Sequence, residues 1–304
     1  MRVDLNEAIR LLAGGGVVAF PTETVYGLGA RAADVAAVAE VFRLKARPTF
    51  DPLIVHVADA DCAWSLAAEV PDAARRLAAT FWPGPLTLVL PKRSTVPDLV
   101  TAGLDGVGLR VPVHPLARAL VEAVGPLAAP SANPFGGVSP TAAEHVEASL
   151  GDAVAVLDGG PCEVGVESTV LAVDGDVVTW LRPGGVPLEA IEAVVGPVSE
   201  AVDSGVPRAP GRLLRHYAPR TPLWLDVPVP VEGRFGWMGL GTPPPGPWVT
   251  CESLGENDVR AAQRLFACLR SLDGRSLDGI IAHRLPPSGL GRAVNDRLER
   301  ASWR

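Results

Sequence analysis

Val17-Val18-Ala19-Phe20-Pro21-Thr22-Glu23-Thr24-Val25-Tyr26-Gly27-Leu28-Gly29-Ala30 is the stretch on which the reading of this chain turns. Val17 to Phe20 has the continuous apolar character of a buried strand. The strand runs directly into two threonine hydroxyls, a carboxylate and two glycines. Such a turn lets backbone approach a ligand closely while hydroxyls orient it, although a plain glycine turn with capping threonines has the same composition. Gly27-Leu28-Gly29-Ala30-Arg31-Ala32 also matches the Gly-x-Gly-x-x-Ala spacing of a dinucleotide fingerprint. Thr22 to Tyr26 separates it from the strand end, and no clean βαβ unit follows. A dinucleotide-binding fold is therefore set aside.

Upstream, Asp4 and Glu7 have the spacing of a capping box, with Leu5, Ile9 and Leu12 on one helical face until Gly14-Gly15-Gly16. Downstream, a helix is predicted over Asp34 to Lys45, and others near Asp59 to Ala68, Pro71 to Thr80 and Pro115 to Val124. Strands are predicted over Leu53 to Val57, Leu86 to Leu90 and Val107 to Val111. Val170 to Val173 and Val177 to Leu181 form a hairpin pattern around Asp174-Gly175-Asp176. Strands and helices do not alternate strictly, which predicts an α/β chain of the α+β kind with a large, partly antiparallel sheet.

Pro197 to Pro222 is rich in Pro, Gly and Arg and has little periodicity, marking a boundary. The division predicted is a catalytic domain over 1–200, a linker over 201–222 and a small α/β domain over 223–304. The small domain has strand patterns at Leu223 to Val227 and Gly279 to Ala282, and helix patterns at Asp258 to Leu272 and Gly289 to Ala301. Gly241 to Trp248 reads as a rigid proline loop. Arg292, Asp296, Arg297, Glu299 and Arg300 on the last helix read as a solvated face.

The 304 residues are 48% hydrophobic and 20% charged, enough to bury a core and too apolar for disorder. The first residues lack a signal-peptide pattern, and no run reaches the roughly 18 apolar residues of a membrane span, so a soluble cytoplasmic protein is expected. Cys62, Cys162, Cys251 and Cys268 are scattered without a CxxC or a histidine pair, which argues against zinc or a disulfide framework. A net charge of −7 argues against a protein whose main task is holding nucleic acid.

Polar residues interrupt the core pattern at further places. Lys45 and Arg47 precede an irregular loop and the strand carrying His56; they suit a helix end or a phosphate clamp. His56 lies within an apolar strand and, taken alone, is more often a satisfied core histidine than a ligand. Arg110 alternates with apolar residues in its strand, so it either meets a carboxylate or awaits an anionic ligand. Ser131, Asn133 and Ser139 lie in a Gly-containing loop that can cradle phosphate, with Thr141 placed to cap the next helix. Ser168 and Arg182 stand at later strand ends. No Walker loop, HExxH, GxSxG or Cys/His dyad is present. Several cations with many hydroxyls and no nucleophile–base pair suit catalysis by positioning and charge neutralisation around a nucleotide.

These motifs, FPTETVYGLGA (20–30), KARP (45–48) with PLIVHV (52–57), FWPGPLTLVLP (81–91), VGLRVP (107–112), APSANPFGGVSPT (129–141), VESTV (166–170) and LRPGG (181–185), resemble those of the YrdC-like threonylcarbamoyl-AMP synthases. APGRLLRHYAP (209–219) followed by GLGRAVNDRLERA (289–301) resembles the long two-domain form. The resemblance implies a twisted mixed sheet around a deep cavity, then a linker and a Rossmann-like domain. It also implies the reaction of L-threonine, bicarbonate or CO2, and ATP to L-threonylcarbamoyl-AMP and pyrophosphate. That is the first step toward threonylcarbamoyladenosine at tRNA position 37, with a separate transferase complex completing it.

By the same resemblance, Thr24, His56, Arg110 and Ser168 would hold threonine and its carbamate. Arg47, Asp51, Ser131, Asn133, Ser139, Arg182 and Tyr217 would face ATP, with Lys45, Arg47 and Arg182 neutralising charge in catalysis and Tyr217 closing as a lid. Mg2+ would arrive with ATP, and no protein-held metal cluster is expected. Asp51 stands where relatives often have Asn, and Gly106 where a hydroxyl residue is usual. The rival readings are a tRNA-binding or double-stranded-RNA-binding module without turnover, which the charge disfavours, and a carbamoyltransferase. Direct tRNA contact is expected to be weak, and no membrane contact is expected.

Overall fold

The computed structural model describes residues 1–201, 211, 215–228 and 232–303. Most of the linker predicted over 201–222 (202–210 and 212–214) thus lies outside the described residues. One mixed sheet dominates. In spatial order it runs β1 (Arg2–Val3), β8 (Ala155–Leu157), β2 (Val18–Phe20), β3 (Gly27–Arg31), β7 (Leu127–Ala128), β4 (Ile54–His56), β6 (Gly106–Arg110), β5 (Leu86–Pro91), β9 (Thr169–Asp174), β10 (Val177–Arg182) and β11 (Ser199–Glu200). Parallel and antiparallel pairings mix: β4 and β6 run parallel, whereas β2 and β3, β5 and β6, and β9 and β10 run antiparallel. This is the mixed sheet that the pattern predicts.

Helices cover both faces. They are α1 (Leu5–Ala13), α2 (Val35–Lys45), α3 (Ala60–Leu66), α4 (Asp72–Phe81), α5 (Asp98–Thr101), α6 (Pro115–Val124), α7 (Ala143–Leu150) and α8 (Leu188–Val195). Along β2 the side chains alternate, so Val18 and Phe20 join Leu12 of α1 and Leu120 of α6, while Ala19 joins Val38 of α2 and Leu77 of α4. Asp4 caps α1 by accepting the Glu7 N–H at 2.9 Å. The reciprocal half of the predicted capping box is not made, because the Glu7 carboxylate pairs with Arg10 one turn on. Thr141 does not cap α7 either. Ala142 occupies that position, and the Thr141 N–H donates to His145 Nδ1 instead.

The second sheet is fully parallel, in the order β12 (Leu223–Leu225), β15 (Gly279–Ala282), β13 (Phe235–Gly239) and β14 (Trp248–Ser253). Helices α9 (Asp258–Asp273) and α10 (Gly291–Ser302) pack against each other beside it. A parallel neighbour normally needs a dozen or more residues of crossover. Residues 240–247 make the return from β13 to β14 in fewer. The core of this unit joins Leu265, Phe266 and Leu298 to Val25, Val138, Val166 and Tyr217. It is therefore continuous with segments that flank the site.

Candidate active site

The sheet's register places the key polar residues. His56 and Arg110 are the last residues of parallel neighbours β4 and β6 and are register partners, so their side chains emerge together at one sheet edge. Ser168 precedes β9, and its hydroxyl lies 2.8 Å from that of Thr87 on the adjacent strand. Arg182 ends β10 and donates through Nη2 to the Ser168 carbonyl at 2.8 Å and hydroxyl at 3.2 Å. In the turn after β2, Thr22 Oγ1 donates to the Val25 carbonyl at 2.6 Å and stands 2.8 Å from Thr24 Oγ1. A cavity opens among these elements.

Of the residues singled out by sequence, Thr24, Arg47, His56, Arg110, Ser131, Ser168, Arg182 and Tyr217 line that cavity. Arg110 meets a carboxylate, the first of its two sequence readings. Its Nη2 donates to Glu23 at 2.6 Å and Nη1 to Thr24 Oγ1 at 2.9 Å, and it still faces the cavity. Burial, reinforced by the Arg110 charge, pushes His56 from the ordinary 6.5 down to about 3, so its imidazole is neutral. Its Nδ1 is buried with no partner. Burial also lowers Arg47 and Arg182 from the ordinary arginine value. Among the described residues three arginines and one carboxylate, Glu167, line the cavity, and Glu23 and Asp51 behind the lining pair with Arg110 and Arg47.

Lys45, Asp51, Asn133 and Ser139 do not line the cavity. The Lys45 ammonium donates to the backbone carbonyls of Ser131 and Asn133, at 2.6 and 2.5 Å, so it shapes the 130–141 loop from within. Asn133 performs the same task, donating to the carbonyls of Pro134 and Gly137. Asp51 Oδ2 lies 2.9 Å from the Arg47 guanidinium. The Arg47 N–H groups nevertheless point at the carbonyls of Asp51 and Pro52, so the contact is Coulombic rather than directional. Burial therefore outweighs Arg47 and raises the Asp51 pKa. Ser139 gives its proton to Glu167 at 2.6 Å.

The glycine turn serves the core as much as a ligand. A Cβ on Gly29 would stand 2.5 Å from the Phe20 ring. Gly106 pairs with Pro91 at the far end of β6, about 13 Å along the strand from Arg110, so a hydroxyl there would not reach the Arg110 head group through the strand. Tyr217 is a buried wall residue, its ring tilted on Phe266 at 5.6 Å and beside His216 at 4.1 Å.

The sequence reading missed Glu167, His216 and Arg297. Glu167 sits inside VESTV, where the neighbouring hydroxyls drew the attention. Arg297 is wholly buried, not part of a solvated face. It follows Val294 and precedes Ala301 at helical spacing, which places it on the apolar stripe of α10. That spacing was the available signal.

The chain is of the two-unit mixed-sheet class, a large mixed sheet around an arginine-lined pocket with a small parallel α/β unit, and known proteins give that class a family. The family model described as telomere recombination, covering Sua5, YciO and YrdC, matches residues 10–184. The model described as the threonylcarbamoyl-AMP synthase C-terminal domain matches residues 186–302. The threonylcarbamoyl-AMP synthase of Pyrococcus abyssi is 43% identical over 97% of this chain and 94% of its own length. That of Bacillus subtilis is 43% identical over 98% and 92%. The crystal structure of P. abyssi Sua5 complexed with L-threonine superposes with a TM-score of 0.92 at 39% identity, covering 99% of this chain and 96% of that one. The chain belongs to the threonylcarbamoyl-AMP synthase family in its two-domain form.

Proposed function

We propose that this chain converts L-threonine, bicarbonate or CO2, and MgATP into L-threonylcarbamoyl-AMP and pyrophosphate. The observation that carries the reading is the lining of one cavity: a neutral imidazole and two hydroxyls beside Arg110, together with the cations Arg47 and Arg182. Arg110 takes the threonine carboxylate, its fork fixed by Glu23 and Thr24. The free Nδ1 of His56 accepts a hydrogen bond from the amino acid, and its neutrality leaves the carboxylate to Arg110. Threonine's amine captures CO2 as a carbamate. A carbamate oxygen then attacks the α-phosphorus, and the bond to pyrophosphate breaks.

Arg47 and Arg182 offset charge on the phosphates, where a low-dielectric wall strengthens each contact. Tyr217 presents an aromatic wall that excludes water from the labile adenylate. Among the described residues no cluster of three His, Cys, Asp or Glu side chains is arranged to hold a metal. Mg2+ enters as part of the substrate, bound by phosphates and water, as is usual for this ion. Among the same residues no helix is long and apolar enough to cross a membrane. A separate transferase complex would pass the threonylcarbamoyl group to tRNA.

The test is pyrophosphate release from ATP with threonine and bicarbonate each present or omitted. Release that needs both supports the reading. Release that is indifferent to threonine removes it.

A further inference from the structure

The C-terminal unit reaches the active site through two arginines. Arg270 of α9 donates to the backbone carbonyls of Val138 and Ser139, in the loop that forms one side of the cavity. Arg297 of α10 donates through Nε to Glu167 at 3.0 Å and through Nη1 to the Pro183 carbonyl at 2.6 Å and Asp296 at 2.9 Å. Glu167 is shared, since its other oxygen accepts the Ser139 hydroxyl at 2.6 Å. The Arg297 guanidinium also lies over the Tyr217 ring, 5.3 Å from its centroid, and Phe266 of α9 packs on the same ring. Glu167 and Tyr217 both line the cavity, whereas Arg297 does not.

Elementary energetics makes this arrangement consequential. A buried carboxylate such as Glu167 is tolerable only when paired, and Arg297 pairs it through Nε while Pro183 and Asp296 hold Nη1 and so fix the guanidinium plane. The same guanidinium meets an aromatic face without giving up its in-plane hydrogen bonds. One side chain thus fixes two walls of the cavity and ties both to the second unit.

We propose that Arg297 is a positioning residue for the nucleotide side of the active site: it locks Glu167, and through it Ser139, while carrying the ring of Tyr217. The proposal rests on the functional reading above and gives the C-terminal unit a defined task in it. The fork geometry, not the charge alone, performs that task.

The test uses the full chain and the variants Arg297→Lys, Glu167→Gln and their combination. Titration calorimetry reads the affinity for a non-hydrolysable ATP analogue and, separately, for L-threonine; thermal melting confirms that each variant is folded. Glu167→Gln is nearly isosteric and keeps a folded test available if the buried lysine is not tolerated. Each single variant is expected to weaken the analogue at least about ten-fold while threonine stays within about three-fold. The double variant is expected to be no weaker than the worse single one, because the two residues act as a unit. Analogue affinity within about two-fold of the parent in folded Glu167→Gln overturns the proposal, and so does an equal loss of both ligands. Binding, not turnover, is read, so a parent that binds both ligands yet forms no adenylate counts against the reaction alone.

Discussion

Arg110 shows what a residue discloses by itself. A charge placed within an apolar strand has to be answered by a carboxylate or a ligand, and Glu23 answers it at the wall of the cavity. Replacing it by lysine removes the two-pronged fork, so threonine affinity is expected to fall by at least about ten-fold in calorimetry. An unchanged affinity would place the amino acid elsewhere. Lys45 was equally visible in sequence, but the direction of its side chain was not, because Ser131 and Asn133 lie far away along the chain. The buried histidines bring a pH dependence. His56 and His216 are both held neutral by burial, His56 with a pKa of about 3 and His216 well below the ordinary value. Above about pH 6.5 neither state of the protein takes up protons at these sites. Below it the unfolded chain binds protons that the folded one refuses, so stability falls as pH falls. For His56 the cost is about 2 kcal/mol at about pH 5, and His216 adds to it in the same direction. Urea unfolding at neutral and acid pH measures it, and His56→Asn should flatten the slope.

At the scale of elements, the strands with uninterrupted β-branched residues and the helices with a clean stripe were legible. Strands β13 and β14 were not, because Gly236 and Gly239 interrupt one and Pro243 to Pro247 precede the other. Their pairing is decided by packing against β15 and α9 rather than by local preference. The seam between the two units rests on a close approach. Gly165 has φ +78°, and a Cβ there would stand 2.4 Å from the Ala262 carbonyl oxygen and 2.5 Å from Gln263 Cα on α9. Gly165→Ala is therefore expected to destabilise the chain by about 2 kcal/mol, through left-handed strain and overpacking against helix backbone. Denaturant unfolding measures the loss. A change below about 0.5 kcal/mol would mean that α9 yields freely at this seam.

The whole molecule places its chemistry where distant segments converge. Thr24, His56, Arg110, Ser168 and Arg182 come from separate strand ends, and Tyr217 comes from the chain that joins the two units. The motif set made these residues recognisable. Their convergence depends on the strand order of the large sheet, which follows from no local pattern. The second unit's contribution was the least legible, because Arg297 and Arg270 have the composition of a solvated helix and act through partners far away in sequence. The central claim is that the cavity joins threonine, a one-carbon unit and the α-phosphate of ATP in one product. Mass analysis of the nucleotide products formed with isotopically labelled bicarbonate tests it most directly. The account predicts threonylcarbamoyl-AMP that carries the label, with pyrophosphate in equal amount. AMP or ADP accumulating without labelled adenylate, in a protein that binds threonine, would contradict it.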